Sequence, residues 1–397
     1  MTTRLRDLLF RDFITLQRGF DLPAKQRIAG QYPVVASTSV SGTHNEFKVH
    51  SPGVVTGRSG SLGEVLYVEE PFWPLNTTLW VKDFKGNLPR YVYYLLRTLD
   101  LEHFNSGAGV PTLNRNDLDT LQIRIHNLEG QRKVVSVLSA YDDLIENNTR
   151  RIQILEEMAQ AIYREWFVNF RFPEHEKVGM VDSPLGKIPE GWETKPFSSV
   201  ASFTNGYAFK PKHWGDSGKP IVKIAELKKG VTTSTPRHHG EDIAPKYQIQ
   251  DGDLLFSWSA DLNAYIWSGG KALLNQHLFN VVPKDDISRI FLFYALKDRM
   301  QEFRSRSQGT TMKHIKRSAL DEVQFMIPPP ALRFDFERCV EPMIGQVENL
   351  RTKNTNLRRT RDLLLPKLIS GEVSVEDMEI ESARSRSRAR SSVFTAT

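Results

Sequence analysis

The sequence predicts two homologous globules of mixed α and β structure (α/β or α+β). Each ends in a long helix, and the two helices pair as an antiparallel coiled coil about a pseudo-two-fold axis. The first observation behind this reading is a repeat. Leu118-Asp119-Thr120-Leu121-Gln122-Ile123 recurs 202 residues later as Leu320-Asp321-Glu322-Val323-Gln324-Phe325, and the same spacing sets Ile145-Glu146-Asn147 on Val347-Glu348-Asn349. A second block, at a spacing of 199, sets Gly53 on Gly252 and Leu75-Asn76-Thr77-Thr78-Leu79 on Leu274-Asn275-Gln276-His277-Leu278. A weaker third match places Arg18-Gly19-Phe20 against Asn205-Gly206-Tyr207. Solenoid units recur every roughly 20–50 residues, so a repeat this long marks a duplicated domain. The second observation is size: 397 residues suffice for two cores. The third is a pair of heptad runs, one closing each half.

The elements follow in order. Residues 1–128 form the first globule, with strand-like runs at Gly53-Val54-Val55-Thr56 and Glu64–Val68 and a short helix at Tyr91–Leu99. Residues 129–171 form the first long helix, and 172–192, rich in Pro, Gly and charge, form a linker. Residues 193–328 form the second globule, with strands at Asp253–Phe256 and Leu278–Val282 and a helix over Ile290–Phe303. Residues 329–371 form the second long helix, and the Arg/Ser-rich stretch 372–397 reads as a disordered tail.

In the first helix the heptad seam is Val134, Leu138, Tyr141, Ile145, Asn148, Ile152, Leu155, Ala159, Ile162 and Trp166. In the second it is Phe336, Val340, Met343, Val347, Leu350, Asn354, Leu357, Arg361, Leu364 and Leu368, with Pro342 expected to kink or break the helix. Antiparallel pairing with Asn148 opposite Asn354 sets Ile152 on Leu350, Leu155 on Val347, Ile145 on Leu357, Leu138 on Leu364 and Val134 on Leu368. Only Tyr141 opposite Arg361 is then polar. Each helix is also complementary to itself, but self-pairing faces Asn148 with Ile152 and Asn354 with Leu350. Only the pairing of one helix with the other matches amide to amide. The alternative is that each helix is amphipathic and packs on its own globule.

Composition narrows function. Hydrophobic content of 40% and charged content of 25% describe a globular chain, and no apolar run approaches the ~20 residues that cross a bilayer. No secretory signal follows Met1, and the lone Cys339 excludes an internal disulfide, which together suit a reducing cytoplasm. Net charge is +6; residues 371–397 carry five acids and four arginines, so the remainder carries +7 and invites a polyanion partner. Gly218-Lys219 is followed by Pro220, which is not a P-loop, and Gly107-Ala108-Gly109 lacks a third glycine. Pro328-Pro329-Pro330 reads as a stop before the second helix, and Arg237-His238-His239-Gly240-Glu241 as a surface loop. No nucleophile stands beside a base, so no catalytic residue, metal site or cofactor is expected in this chain.

What recurs is chemistry suited to DNA. Arg58, Ser59, Ser61, Asn76, Thr77 and Thr78 in the first half, and Ser257, Trp258, Ser259, Asn263, Asn275, Gln276 and His277 in the second, gather side chains that bond base edges. The loops ahead of the long helices add Arg115, Arg304, Arg306, Lys313, His314, Lys316 and Arg317, which suit phosphate.

In this order the motifs resemble the specificity (S) subunit of type I restriction–modification systems. The resemblance rests on the repeated Leu-Asp-x-hydrophobic-Gln-hydrophobic junctions and on the helix start Gln131-Arg132-Lys133-Val134-Val135. It rests also on Gly186-Lys187-Ile188-Pro189-Glu190-Gly191-Trp192 and on Leu363-Leu364-Leu365-Pro366-Lys367-Leu368-Ile369-Ser370-Gly371-Glu372-Val373. It spans about Leu5 to Val375, although the first half lacks the Pro-x-Gly-Trp entry and Ala331-Leu332-Arg333 replaces a polar helix start. The resemblance implies two target-recognition domains, each reading one half of a bipartite, asymmetric site in double-stranded DNA. It implies two modification (methyltransferase) subunits docked on the chain, and restriction (translocase/endonuclease) subunits beyond them. S-adenosylmethionine, ATP and Mg would sit on those partners. The alternatives are a standalone DNA methyltransferase with degenerate motifs and a coiled-coil scaffold that never binds DNA.

Overall fold

The computed structural model describes residues 5–37, 39–60, 62–107, 109–232, 234–307 and 314–376. The chain divides into two compact units, residues 1–145 with 356–397, and residues 146–355.

The first unit runs β1 (Leu5–Leu9), α1 (Phe10–Phe13), β2 (Thr15–Arg18), β3 (Tyr32–Ala36), β4 (Ser39–His44), β5 (Gly53–Gly57), β6 (Val65–Val68), β7 (Trp73–Pro74) and β8 (Thr78–Asp83). Then come α2 (Pro89–Leu96), α3 (Arg115–Leu118), β9 (Gln122–His126) and the start of the long helix α4 (Leu128–Phe167). Strands β2-β8-β5-β6 form one antiparallel sheet, β4-β3-β7 a second, and β1 pairs with β9. Every residue of β5 is buried because the strand divides two cores. Val54 faces Leu16, Val81, Tyr91 and Leu95, whereas Val55 faces Val35, Val49 and Phe72. The period-2 alternation of a strand sends neighbours to opposite faces, so a strand covered on both sides reads as a continuous apolar run.

The second unit continues with β10 (Met180–Ser183), β11 (Gly186–Pro189), β12 (Glu193–Pro196), α5 (Phe197–Val200), β13 (Ala201–Asn205), β14 (Lys219–Val222), α6 (Ile224–Lys229), β15 (Arg237–His238) and β16 (Gln248–Ile249). It is completed by β17 (Leu254–Ser257), β18 (Asn263–Ile266), β19 (Ala272–Leu274), β20 (Leu278–Pro283), α7 (Arg289–Asp298), α8 (Met300–Ser305), α9 (Ala319–Glu322), β21 (Gln324–Ile327) and part of α10 (Pro330–Ser370). The connections of the first unit return: β13-β20-β17-β18 repeats β2-β8-β5-β6, β12 with β21 repeats β1 with β9, and the parallel pair β14 with β19 repeats β3 with β7.

Three sequence expectations are revised. The helix expected over Ile290–Phe303 is two helices, α7 and α8, joined at Arg299. The linker is folded: β10 and β11 make a hairpin, and Phe172, Ile188 and Trp192 are buried in the second unit's main core. Pro342 does not break α10, which is helical through it. Pro342 lies on the exposed face, where water can satisfy the carbonyl that loses its amide partner.

The repeat also needs a shifted alignment. Leucine and asparagine coincide at a spacing of 199, yet the hydrogen bonds coincide at 200. Thr56 pairs with Leu79 across β5 and β8 as Phe256 pairs with Phe279 across β17 and β20. Thr78 N–H donates to Leu75 O at 2.9 Å as Leu278 N–H donates to Asn275 O at 3.1 Å. Asn76 therefore corresponds to Gln276, and Thr77 to His277. A slip of one in a strand exchanges inward and outward faces.

Within each unit α4 and α10 pack antiparallel. In the second, Asn148 Nδ2 donates to Asn354 Oδ1 at 2.9 Å, Asn354 Nδ2 donates to Thr149 Oγ1 at 3.2 Å, and the rings of Trp166 and Phe336 lie 6.3 Å apart. In the first, Val134 and Leu138 share a core with Leu364, Leu365 and Leu368. Arg361 does not sit unpaired against Tyr141: its Nη1 donates to Asp142 Oδ1 at 2.6 Å, and Asp142 Oδ2 accepts from the Tyr94 hydroxyl at 2.5 Å. Burial pushes the Tyr94 phenol well above its ordinary value, which keeps it a donor.

Candidate nucleic-acid interface

Each globule builds the same frame from three segments that meet beside the β2–β8 or β13–β20 pair. In the first, Arg58 N–H donates to Thr77 O at 2.9 Å, Leu113 N–H to Arg58 O at 2.8 Å, and Ser59 bridges Thr112. In the second, Trp258 N–H donates to His277 O at 3.4 Å, Ile315 N–H to Trp258 O at 3.0 Å, and Ser259 bridges His314. A glycine locks the middle segment. Gly19 N–H donates to Thr78 O at 3.1 Å and Gly206 N–H to Leu278 O at 3.0 Å. A Cβ on Gly19 would lie 2.2 Å from Leu75 O, and one on Gly206 2.3 Å from Asn275 O. The weak glycine match in the sequence thus marks a close backbone approach that excludes every side chain.

Arginine secures the third segment in both halves. Arg115 Nη1 donates to Leu16 O at 3.3 Å, and Arg317 Nη2 donates to Phe203 O at 3.1 Å, at matching points of β2 and β13. Both guanidiniums are otherwise exposed, so each fixes a loop while keeping donors outward.

On this frame the first globule carries an open groove of about 970 Å3 whose rim includes Arg18, Asp21, Arg58, Lys82, Asn114 and Arg115. Arg58 is half-buried and its Nη1 donates to Asn76 O at 3.1 Å. Asn76 Nδ2 donates to Asp21 Oδ1, and Thr77 Oγ1 accepts from Ser37 N–H at 3.2 Å. Ser59 is half-buried, and its carbonyl accepts from Ser37 Oγ at 2.8 Å. In the second globule Trp258 Nε1 donates to Gln276 O at 3.2 Å, as Arg58 does to Asn76. The His277 ring lies 5.6 Å from the Trp258 ring, while Gln276, His314, Lys316 and Arg317 are exposed. Half-buried Asn263 turns its Oδ1 onto the Ala264 N–H at 2.9 Å.

Several expected base readers are instead interior. Thr78 is fully buried, its Oγ1 donating to Leu75 O at 2.7 Å. Ser257 is fully buried, its Oγ donating to Ser259 O at 3.2 Å, and Asn275 is buried as well. Ser259, also buried, meets His277 Nδ1 at 3.1 Å. Among the basic candidates, Arg306 pairs with Glu302 at 2.9 Å and Glu322 at 3.4 Å, and Arg304 donates to Leu262 O at 3.1 Å. Ser61 and Lys313 lie outside the described residues. Sequence reasoning missed Arg18, Asp21 and Lys82 at the groove. Arg18 stood in the third repeat block, which was the available signal.

Among the described residues no three His, Cys, Asp or Glu side chains are gathered to hold a metal ion, and no helix is long and apolar enough to cross a membrane. A family model described as the type I restriction modification DNA specificity domain matches residues 11–157 and again residues 189–331, most of the chain in two copies. The chain belongs to this family. Among relatives of the specificity-domain family, the type I restriction enzyme MjaIX specificity subunit of Methanocaldococcus jannaschii is 26% identical over 74% of this chain and 71% of its own length. The MjaVIII specificity subunit of the same organism is 23% identical over 89% and 88%. The crystal structure of a type I restriction–modification S subunit from M. genitalium superposes with a TM-score of 0.55 at 14% identity, over 92% of this chain and 96% of that one. That likeness is one of fold. The fold is thus two target-recognition domains, with long helices that pack together.

Proposed function

We propose that this protein is the DNA-reading subunit of a type I restriction–modification complex, recognising a bipartite, asymmetric site with one half-site per domain. The observation that carries this reading is one backbone frame repeated with different side chains on it: Arg58 against Trp258, Asn76 against Gln276, Thr77 against His277. A shared frame approaches the duplex in one way, and different edge groups read different bases. The relatives are named as specificity subunits of such enzymes, which supports the assignment.

In this reading the chain performs no chemistry. Methyl transfer and cleavage belong to modification and restriction subunits that assemble on it in the cytoplasm and carry S-adenosylmethionine, ATP and Mg. Arg115, at the start of α3, and Lys316 and Arg317, ahead of α10, face phosphate, joined by His314. Methylome sequencing of cells with and without the gene tests the proposal. A methylated two-part, non-palindromic motif that vanishes with the gene is the expected result. An unchanged methylome overturns it, and methylation by the isolated chain would instead favour a standalone methyltransferase.

A further inference from the structure

The groove of the first domain is lined by Arg18, Arg58, Lys82 and Arg115, and a single carboxylate, Asp21, stands among them. Asp21 is exposed, 3.9 Å from Arg18 Nη2, and its Oδ1 accepts from Asn76 Nδ2. Against phosphate alone this carboxylate only repels. Its position is nevertheless held by a tightly constrained stretch of backbone. Gly19, two residues before it, is pressed on Leu75 O, and Phe20 N–H donates to Pro74 O at 2.8 Å. The second domain has the same backbone, with Tyr207 N–H donating to Leu274 O at 2.8 Å, but Ala208 stands where Asp21 stands. There Gln276 and His277 occupy the rim, with Gln276 Nε2 and His277 Nε2 3.4 Å apart.

We propose that Asp21, oriented by Asn76, is a specificity-determining residue that makes the first half-site require a base presenting an exocyclic amino group in the major groove, cytosine or adenine. An ionised carboxylate accepts hydrogen bonds and offers none. It rewards the N4 amino group of cytosine or the N6 amino group of adenine, and opposes the O6 and N7 acceptors of guanine and the O4 of thymine. The Asn76 contact takes Oδ1 while the Asp21 side chain stays 74% exposed, so the carboxylate is positioned with acceptor capacity to spare before DNA arrives. The second domain, with Ala208, makes no such demand at the matching position. This inference rests on the DNA-reading function and names one base class within it.

The two roles of Asp21 have opposite signs, which gives the test. The full-length chain and its Asp21→Ala and Asp21→Asn variants are each incubated with a pool of randomised duplexes. Bound duplexes are sequenced, and affinity for an unselected duplex is measured alongside. The wild type is expected to select cytosine or adenine at one position of one half-site. Asp21→Ala is expected to lose that preference by on the order of ten-fold or more, to leave the other half-site intact, and to bind unselected duplex more tightly. Asp21→Asn keeps an acceptor for Asn76 but adds a donor, and so should admit guanine or thymine there. A wild-type motif that Asp21→Ala leaves unchanged overturns this inference alone, as does a loss of preference with no gain for unselected DNA, the mark of a merely structural contact. A wild type that selects no motif overturns the DNA-reading function with it.

Discussion

Replacing Asn148 by leucine tests what holds the two long helices in register. Asn148 and Asn354 are 8% and 2% exposed, and they share a 2.9 Å hydrogen bond within a seam of Ile152, Leu155, Val347 and Leu350. Asn148→Leu removes the donor to Asn354 Oδ1, which remains buried beside new apolar surface. Losing one partner of a buried amide pair costs roughly 1–3 kcal/mol, whereas replacing both by apolar groups is near neutral or stabilising. Asn148→Leu and Asn354→Leu should each destabilise the chain by about that amount, and the double variant should recover to wild-type stability or above it. Equilibrium urea unfolding followed by far-ultraviolet circular dichroism, read as a double-mutant cycle, measures the coupling. Additive losses in the double variant would refute the view that the pair sets register by matching amide to amide.

Gly19→Ala should destabilise the first domain by ~1–3 kcal/mol, as overpacking against fixed backbone does, and blur the first half-site only; Gly206→Ala should do the same to the second, read by urea unfolding and selected-duplex sequencing. Asp142→Ala strips an acceptor from Tyr94 and Arg361, whose side chain is 14% exposed, and should cost about 3 kcal/mol in the same unfolding assay. Lys316→Ala should weaken binding evenly across sequences and lower the salt slope by about 1. His126 is buried with Nε2 2.8 Å from Leu368 O, and burial holds its pKa below the ordinary value. The folded state therefore takes up its proton later than the unfolded chain, so stability should fall as pH drops below about 6.5; His126→Asn should flatten that slope in pH-dependent unfolding.

The duplication, the mixed globules, the heptad seams and the asparagine opposition were legible because periodicity and repeats survive without coordinates. The alignment of the second repeat block was not. Leu75-Asn76 and Leu274-Asn275 match as letters, but backbone hydrogen bonds set the register, and they place Asn275 where Leu75 stands. That slip is why Thr78 and Asn275 read as base contacts although both face inward. Ser257 misled for another reason: β17 is buried on both faces, so its small hydroxyl has nowhere outward to point. Pro342 suggested a break because a sequence does not say which side of a helix meets water. Asp21 stayed hidden because it lies beyond the matched Arg18-Gly19-Phe20 triplet, and only the fold brings it to Asn76.

The central claim is that each domain reads its own half of one DNA site. Sequencing the duplexes selected from a random pool by full-length wild type, Arg58→Ala and Gln276→Ala tests it most directly. The account predicts that Arg58→Ala relaxes positions in one half-site and Gln276→Ala positions in the other, each by ~1–3 kcal/mol of discrimination. Both substitutions relaxing the same half-site would contradict it.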